Sequence, residues 1–193
     1  MASVVDINIL CYKILDKEIL EMLLNKYGVH VKSIMSMKNW MWEDEQDIGG
    51  LNQIQKEMDR DRIVVIQLEK QWVKDLGLCI EKCNDEYLYN VWINTEGCEI
   101  LDNDFITMKN RFFYEEIFMR TCEMKDKIKE SIKLVGSGVE TEFVYSEDVA
   151  SIIQNSHNVI FWIVKDTLIN DSVRSVYTER KMGSGMVALK RME

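Results

Sequence analysis

The sequence predicts an α+β domain in which several helices pack on a single mixed or antiparallel sheet. Three observations lead there. Strand-like and helix-like segments interleave without a strict β-α-β-α rhythm, which disfavours a doubly wound fold. Two strand-like arms, Leu76 to Lys82 and Tyr87 to Thr95, flank the polar turn Cys83-Asn84-Asp85-Glu86, the signature of a β-hairpin and hence of antiparallel pairing. Apolar residues make up 47% of the chain and are spread along its whole length, so there is enough to bury throughout.

Val4 to Ile14 is rich in β-branched residues and reads as a first strand. Asp16 is a plausible N-cap for a helix carrying Ile19, Leu20, Leu23 and Leu24 at helical spacing, with Gly28 at C′. Val29 to Met37 alternates apolar with polar and reads as a second strand, giving an N-terminal β-α-β unit. Leu51 to Asp61 reads as a short helix with Leu51, Ile54 and Met58 on one side. Ile63 to Leu68 is a continuous apolar run of the kind found in buried strands.

Asp104 to Lys133 reads as the longest helix. Ile106, Phe113, Ile117, Met124 and Ile128 form one stripe, and Phe105, Met108, Phe112 and Met119 widen it to a second face. Glu116 to Arg120 and Glu123 to Lys127 are i,i+4 pairs in the favourable orientation, worth about 0.3 kcal/mol each. Gly136-Ser137-Gly138 is expected to end that element. A short strand then covers Thr141 to Tyr145, and a helix starts at Ser146, Glu147 and Asp148 and runs through Ile153. Val159 to Val164 reads as a buried strand, Asp166 to Lys181 as a helix ended by Gly183, and Met186 to Met192 as a last strand or frayed tail. The whole, residues 1–193, reads as one compact domain, with a weak subdivision near 97–104.

Charge narrows the function classes. The net charge is -9, which opposes binding to phosphate backbones and anionic lipid. No basic stripe overrides it, so neither nucleic acid nor membrane is an expected partner. The longest apolar runs fall far short of a membrane span. Five cysteines, Cys11, Cys79, Cys83, Cys98 and Cys122, are an odd number without repeating spacing. Free thiols in a reducing, cytoplasmic setting follow. The N-terminus lacks the basic start and apolar core of a signal peptide.

The strongest candidate site lies after the second strand. Trp40, Met41 and Trp42 run straight into Glu43, Asp44, Glu45 and Asp47, followed by Gly49-Gly50. If the strand from Val29 continued, both indoles would share the more polar face with Ser36 and Lys38, leaving at least one partly exposed. Exposed tryptophan beside carboxylates suits a surface aimed at a basic protein. The competing reading makes the indoles core anchors. Small size, acidity and aromatic-carboxylate surfaces resemble, as a class, bacterial immunity proteins that neutralise nuclease-type toxins. The resemblance implies a non-catalytic inhibitor, monomeric or homodimeric, with Trp40, Trp42, Glu43, Asp44, Glu45 and Asp47 facing a basic, toxin-like partner.

Other constellations are weaker. Arg180-Lys-Met-Gly183-Ser-Gly185 resembles the R-x-x-G-x-G/A pyrophosphate loop of GNAT-family N-acetyltransferases. It implies an acyl-CoA-binding enzyme using Arg180, Gly183 and Gly185, with backbone N–H groups at a helix N-terminus facing phosphate. In that family a long helix, a strand and another helix follow the loop, and here eight residues remain after Gly185. Read plainly, the glycines end the last helix. Cys79 and Cys83 have C-x-x-x-C spacing, wrong for a redox pair, and on a strand would sit about 13 Å apart. His30 and His157 form no argued triad. The carboxylates at Asp85 and Glu86 and at Glu99, Asp102 and Asp104 read as solvated faces, and the last three lack the pattern of an EF-hand loop. No catalytic residue, metal or cofactor is therefore expected. A third class, a subunit of a larger cytosolic assembly, rests on the two apolar faces of the predicted helix from Asp104 to Lys133.

Overall fold

A computed structural model describes residues 4–71, 73–95, 111–128, 131–182 and 185–191. Its described strands are β1 (Val4–Cys11), β2 (His30–Met37), β3 (Gln46–Asp47), β4 (Ile63–Lys70), β5 (Val73–Cys83), β6 (Glu86–Asn94), β7 (Ile132–Glu142), β8 (His157–Lys165), β9 (Tyr177–Lys181) and β10 (Met186–Arg191). The helices are α1 (Lys17–Lys26), α2 (Ile54–Met58), α3 (Arg111–Ile128), α4 (Val149–Asn155) and α5 (Asp171–Arg174). The strands form a ten-stranded sheet in the order β3-β2-β4-β5-β6-β1-β7-β8-β10-β9. Its neighbouring strands pair antiparallel.

The predicted hairpin forms as β5-β6, turning at Asn84, whose φ of 56° is the left-handed conformation that Asn tolerates. The expected β-α-β opening is present in chain order only. β1 and β2 flank α1, but β4, β5 and β6 lie between them in the sheet. Three later expectations are also corrected. α3 is described only from Arg111 to Ile128, and Phe105, Ile106 and Met108 lie outside the described residues. Ile132–Glu142 is a strand, so Gly136-Ser137-Gly138 sits inside β7 rather than ending a helix. The span from Asp166 to Lys181 holds a 3-10 turn at Asp166–Leu168, the single-turn α5 and then β9.

The β7 glycines are required by packing. A Cβ on Gly136 would lie 2.4 Å from Cζ3 of Trp162, a fully buried indole. A Cβ on Gly77 would lie 1.9 Å from Cζ2 of Trp92. Each tryptophan thus lies across a neighbouring glycine on the same face of the sheet.

The two faces are covered unequally. One side packs Leu20 of α1, Ile54 and Met58 of α2, and Tyr114 and Ile117 of α3 against Ile9, Ile66, Ile80, Ile132 and Ile163 of the strands. The other side carries Val149, Ile152 and Ile153 of α4 and Val173 of α5 over Leu134, Trp162 and Leu189. Toward β2, that second side keeps only a small apolar group, Met37, Ile63, Val65 and Cys79 with Trp92 against it. Between the two patches, Asn8 and Asn90 join Asp6 in a polar row bridged by Thr141. Burial raises the pKa of Asp6.

No helix among the described residues is long and apolar enough to cross a membrane.

Candidate partner-binding surface

β2 stops at Met37, and the chain turns out of the sheet before returning as the short β3. Strand parity therefore does not decide where the indoles go. The turn is set by Lys38 N donating to Glu43 O at 2.9 Å and Trp42 N to Asn39 O at 3.0 Å. Trp42 and Asp44 adopt φ of 60° and 53°. Left-handed backbone at non-glycine residues costs on the order of 1–2 kcal/mol each, and such outliers persist only where the surroundings enforce them.

Here the enforcing group is Arg62, which follows α2 and precedes β4. Arg62 is 8% exposed. Its Nη1 meets Asp44 Oδ2 at 2.5 Å, and its Nη2 donates to the Asp44 carbonyl. Its Nε donates to Ser36 Oγ at 3.0 Å and lies 3.2 Å from Glu57 Oε2. Ser36 Oγ in turn donates to that same Glu57 oxygen at 2.9 Å. Glu57 is 4% exposed, so its charge is tolerable only because Arg62 and Ser36 satisfy it. One buried guanidinium thus bolts the acidic turn to both β2 and α2.

The turn presents its large side chains to solvent. Trp40 is 56% exposed, Met41 83% and Trp42 52%. Glu43, Asp44, Glu45 and Asp47 are all exposed. Glu43 and Glu45 have no ion-pair partner among the described residues, whereas Asp47 Oδ1 accepts from Gly49 N at 2.7 Å. Trp40 Nε1 donates to Glu81 Oε2 at 3.1 Å, across from β5. Burial raises the Glu81 pKa, and the indole bond works in the opposite direction. The hydrogen bond orients the Trp40 ring while leaving more than half the residue open.

The structure thus brings together all six sequence-predicted residues of this surface. Arg62, Glu57, Ser36 and Glu81 escaped the sequence reading. Asp59-Arg60-Asp61-Arg62 looks like a solvated charge run, and only the apolar strand starting at Ile63 hints that Arg62 is drawn inward.

The remaining candidates fare differently. Arg180 lies in β9 and Gly183 lies outside the described residues. Gly185, at φ 68°, leads directly into β10. The segment therefore joins two antiparallel strands, and the helix N-terminus on which the phosphate-loop resemblance depends is not formed there. Cys11, Cys79, Cys83 and Cys122 are free, and burial pushes the Cys11 and Cys83 thiols up to about 12 and raises Cys79 as well. Such thiols stay protonated and unreactive. His30 and His157 are exposed at strand starts. Glu86 pairs with the buried Lys133 at 2.8 Å, and Glu99, Asp102 and Asp104 lie outside the described residues. No group of metal-ligating side chains occurs among the described residues.

Comparison with known proteins adds no assignment: no protein family, no curated protein and no solved structure matches this chain.

Proposed function

We propose that this chain is a non-catalytic acidic binding protein that recognises and neutralises a basic partner protein, in the manner of an immunity protein in a bacterial toxin system. The observation that carries the reading is the pair of half-exposed tryptophans on a turn locked by Arg62. Two large apolar rings held in water by a strained, buried-ion-anchored turn cost stability and contribute nothing to the core. A partner that covers them recovers that cost. Buried interface tryptophans commonly contribute about 2 kcal/mol or more each. Rigidity matters as much as area, because a turn already ordered loses little entropy on binding. The unpaired Glu43 and Glu45, within a chain of net charge -9, would speed encounter with Lys- and Arg-rich surfaces.

The test is affinity capture from source-cell lysate by the wild-type chain and by Trp40→Ala/Trp42→Ala. The reading expects a basic protein retained by the wild type and lost, or held at least about thirtyfold more weakly, by the variant. A captured partner that is acidic, or that binds both chains alike, overturns it.

A second reading, a subunit of a larger assembly, has its own observation: Phe112 is 79% and Met119 54% exposed, seven positions apart on α3. Sedimentation separates the two. Self-association abolished by Phe112→Ser favours the assembly, and a monomer unchanged by that substitution removes it.

A further inference from the structure

The other end of the molecule holds a cleft of about 250 Å³ between α3 and the strands β8, β9 and β10. It lies at the opposite end of the sheet from β2 and β3. Its apolar walls are Phe118 and Phe161, whose rings meet edge to face at 5.5 Å, with Ala188 beside them. Tyr114 also lines it and is 1% exposed. Its hydroxyl is buried without a hydrogen-bond partner. A hydroxyl in that state has lost water and gained nothing in return, and structures rarely leave one so without a reason.

Around this unmet donor stand Arg111, Arg180 and Lys190. None of the three has an ion pair among the described residues. Two carboxylates also line the cleft. Glu179 is occupied by Arg174 at 2.5 Å, which leaves Glu115 as its free acid. In a chain with 24 basic and 33 acidic residues, three uncommitted cations at one apolar cleft reverse the sign of the surroundings.

We infer that this cleft, with Tyr114 as internal donor and Arg180 and Lys190 at its mouth, binds a small organic carboxylate carrying one aromatic ring or short branched chain. The ring would lie against Phe118 and Phe161. One carboxylate oxygen would accept from Tyr114 Oη and the other from a mouth cation. Charge-assisted bonds of that kind are the strong ones, and apolar walls around a few convergent polar groups are the usual make-up of a small-ligand site. The inference is independent of the partner-binding reading, because it uses none of the residues of the acidic turn.

The experiment is a two-dimensional NMR titration of the full chain with phenylacetate, and with phenylacetamide, inorganic phosphate and phenyl phosphate as comparison arms. Phenylacetate should give saturable shifts of α3, β8 and β10 amides, with phenylacetamide at least about tenfold weaker for want of the charge. Tyr114→Phe should leave the melting temperature unchanged or raised, since no bond is lost, yet weaken phenylacetate about tenfold. Arg180→Gln, on the exposed edge strand, should weaken it without touching the fold. The assignment is overturned by silence at roughly 10 mM phenylacetate, by equal binding of the amide, or by inorganic phosphate or phenyl phosphate binding as tightly as the carboxylate. Undiminished binding by both variants overturns it as well.

Discussion

The two ends of the sheet make opposite use of the same materials. At the β2-β3 end, aromatic rings project outward on a turn and carboxylates surround them. At the β9-β10 end, aromatic rings line a recess and cations surround it. The acidic end is built from one stretch of chain, Trp40 to Asp47, and anchored from behind by Arg62. The basic end is assembled from Arg111, Tyr114, Phe161, Arg180 and Lys190, which the sequence keeps far apart. A projecting surface suits a macromolecule that wraps around it. A recess suits a molecule small enough to enter.

Breaking the anchor should have the largest effect. Arg62→Ala leaves the Glu57 carboxylate buried with its main partner gone. A buried ion stripped of its partner costs about 3–5 kcal/mol, so urea unfolding should show a loss of that order. Loss of the left-handed turn at Trp42 and Asp44 should accompany it, visible as a change in near-ultraviolet circular dichroism. A loss below about 1 kcal/mol would mean that the turn is held by something else.

The glycine-tryptophan pairs give the next effect and contrast the two halves of one face. Gly136→Ala drives a methyl group into the fully buried Trp162, whereas Gly77→Ala meets Trp92, which is only partly buried and has room to swing. Overpacking of a rigid site costs about 1–3 kcal/mol or more. Gly136→Ala should reach the top of that range and Gly77→Ala its bottom, measured by thermal unfolding of each variant. Equal losses would show that the β2 half of this face is as tightly packed as the α4-α5 half.

Legibility in the sequence followed the same divide. β1, β2, β4, the β5-β6 hairpin, β8 and β10 announce themselves because each has a buried face of β-branched or aliphatic residues. β7 does not. Lys133 interrupts its apolar alternation to pair with Glu86, and Gly136 and Gly138 stand where side chains would collide with Trp162 and the Asn158 carbonyl. β9, with Thr178, Glu179, Arg180 and Lys181 all exposed, is an edge strand without a buried face, and its polarity reads as helix or loop. The neighbours of β1 were equally hidden, since local spacing says nothing about which strands insert between β1 and β2. The candidate surface was legible because its residues are contiguous, and its anchor was not, because Ser36, Glu57 and Arg62 meet only in the fold.

Two smaller effects sharpen the account. Trp40→Phe removes the indole donor to Glu81 Oε2 while keeping a ring. That bond works against the rise that burial gives the Glu81 pKa, so the variant should titrate Glu81 at higher pH, read by carboxyl carbon chemical shifts. An unmoved titration would mean the ring is not held there in solution. Asp6 offers a pH test of the polar row. Its pKa is raised first by burial, with Glu140 adding to the rise. The folded state therefore holds this proton more tightly than the unfolded chain does. Its contribution to stability is greatest below the unfolded value of 3.8 and declines as pH rises through the folded one. Asp6→Asn, which keeps an acceptor for Thr141 N, should flatten that decline in stability measured across mildly acidic pH. An unchanged slope would place the decline elsewhere.

The account's central claim is that the acidic, tryptophan-bearing turn is where a basic protein binds. Stopped-flow association of the captured partner with the wild-type chain and with Glu43→Gln/Glu45→Gln, at low and high salt, tests it most directly. The account predicts a wild-type association rate that falls at least about tenfold with added salt, and a variant that associates more slowly while dissociating at an unchanged rate. An association rate indifferent both to salt and to the two glutamates would contradict it.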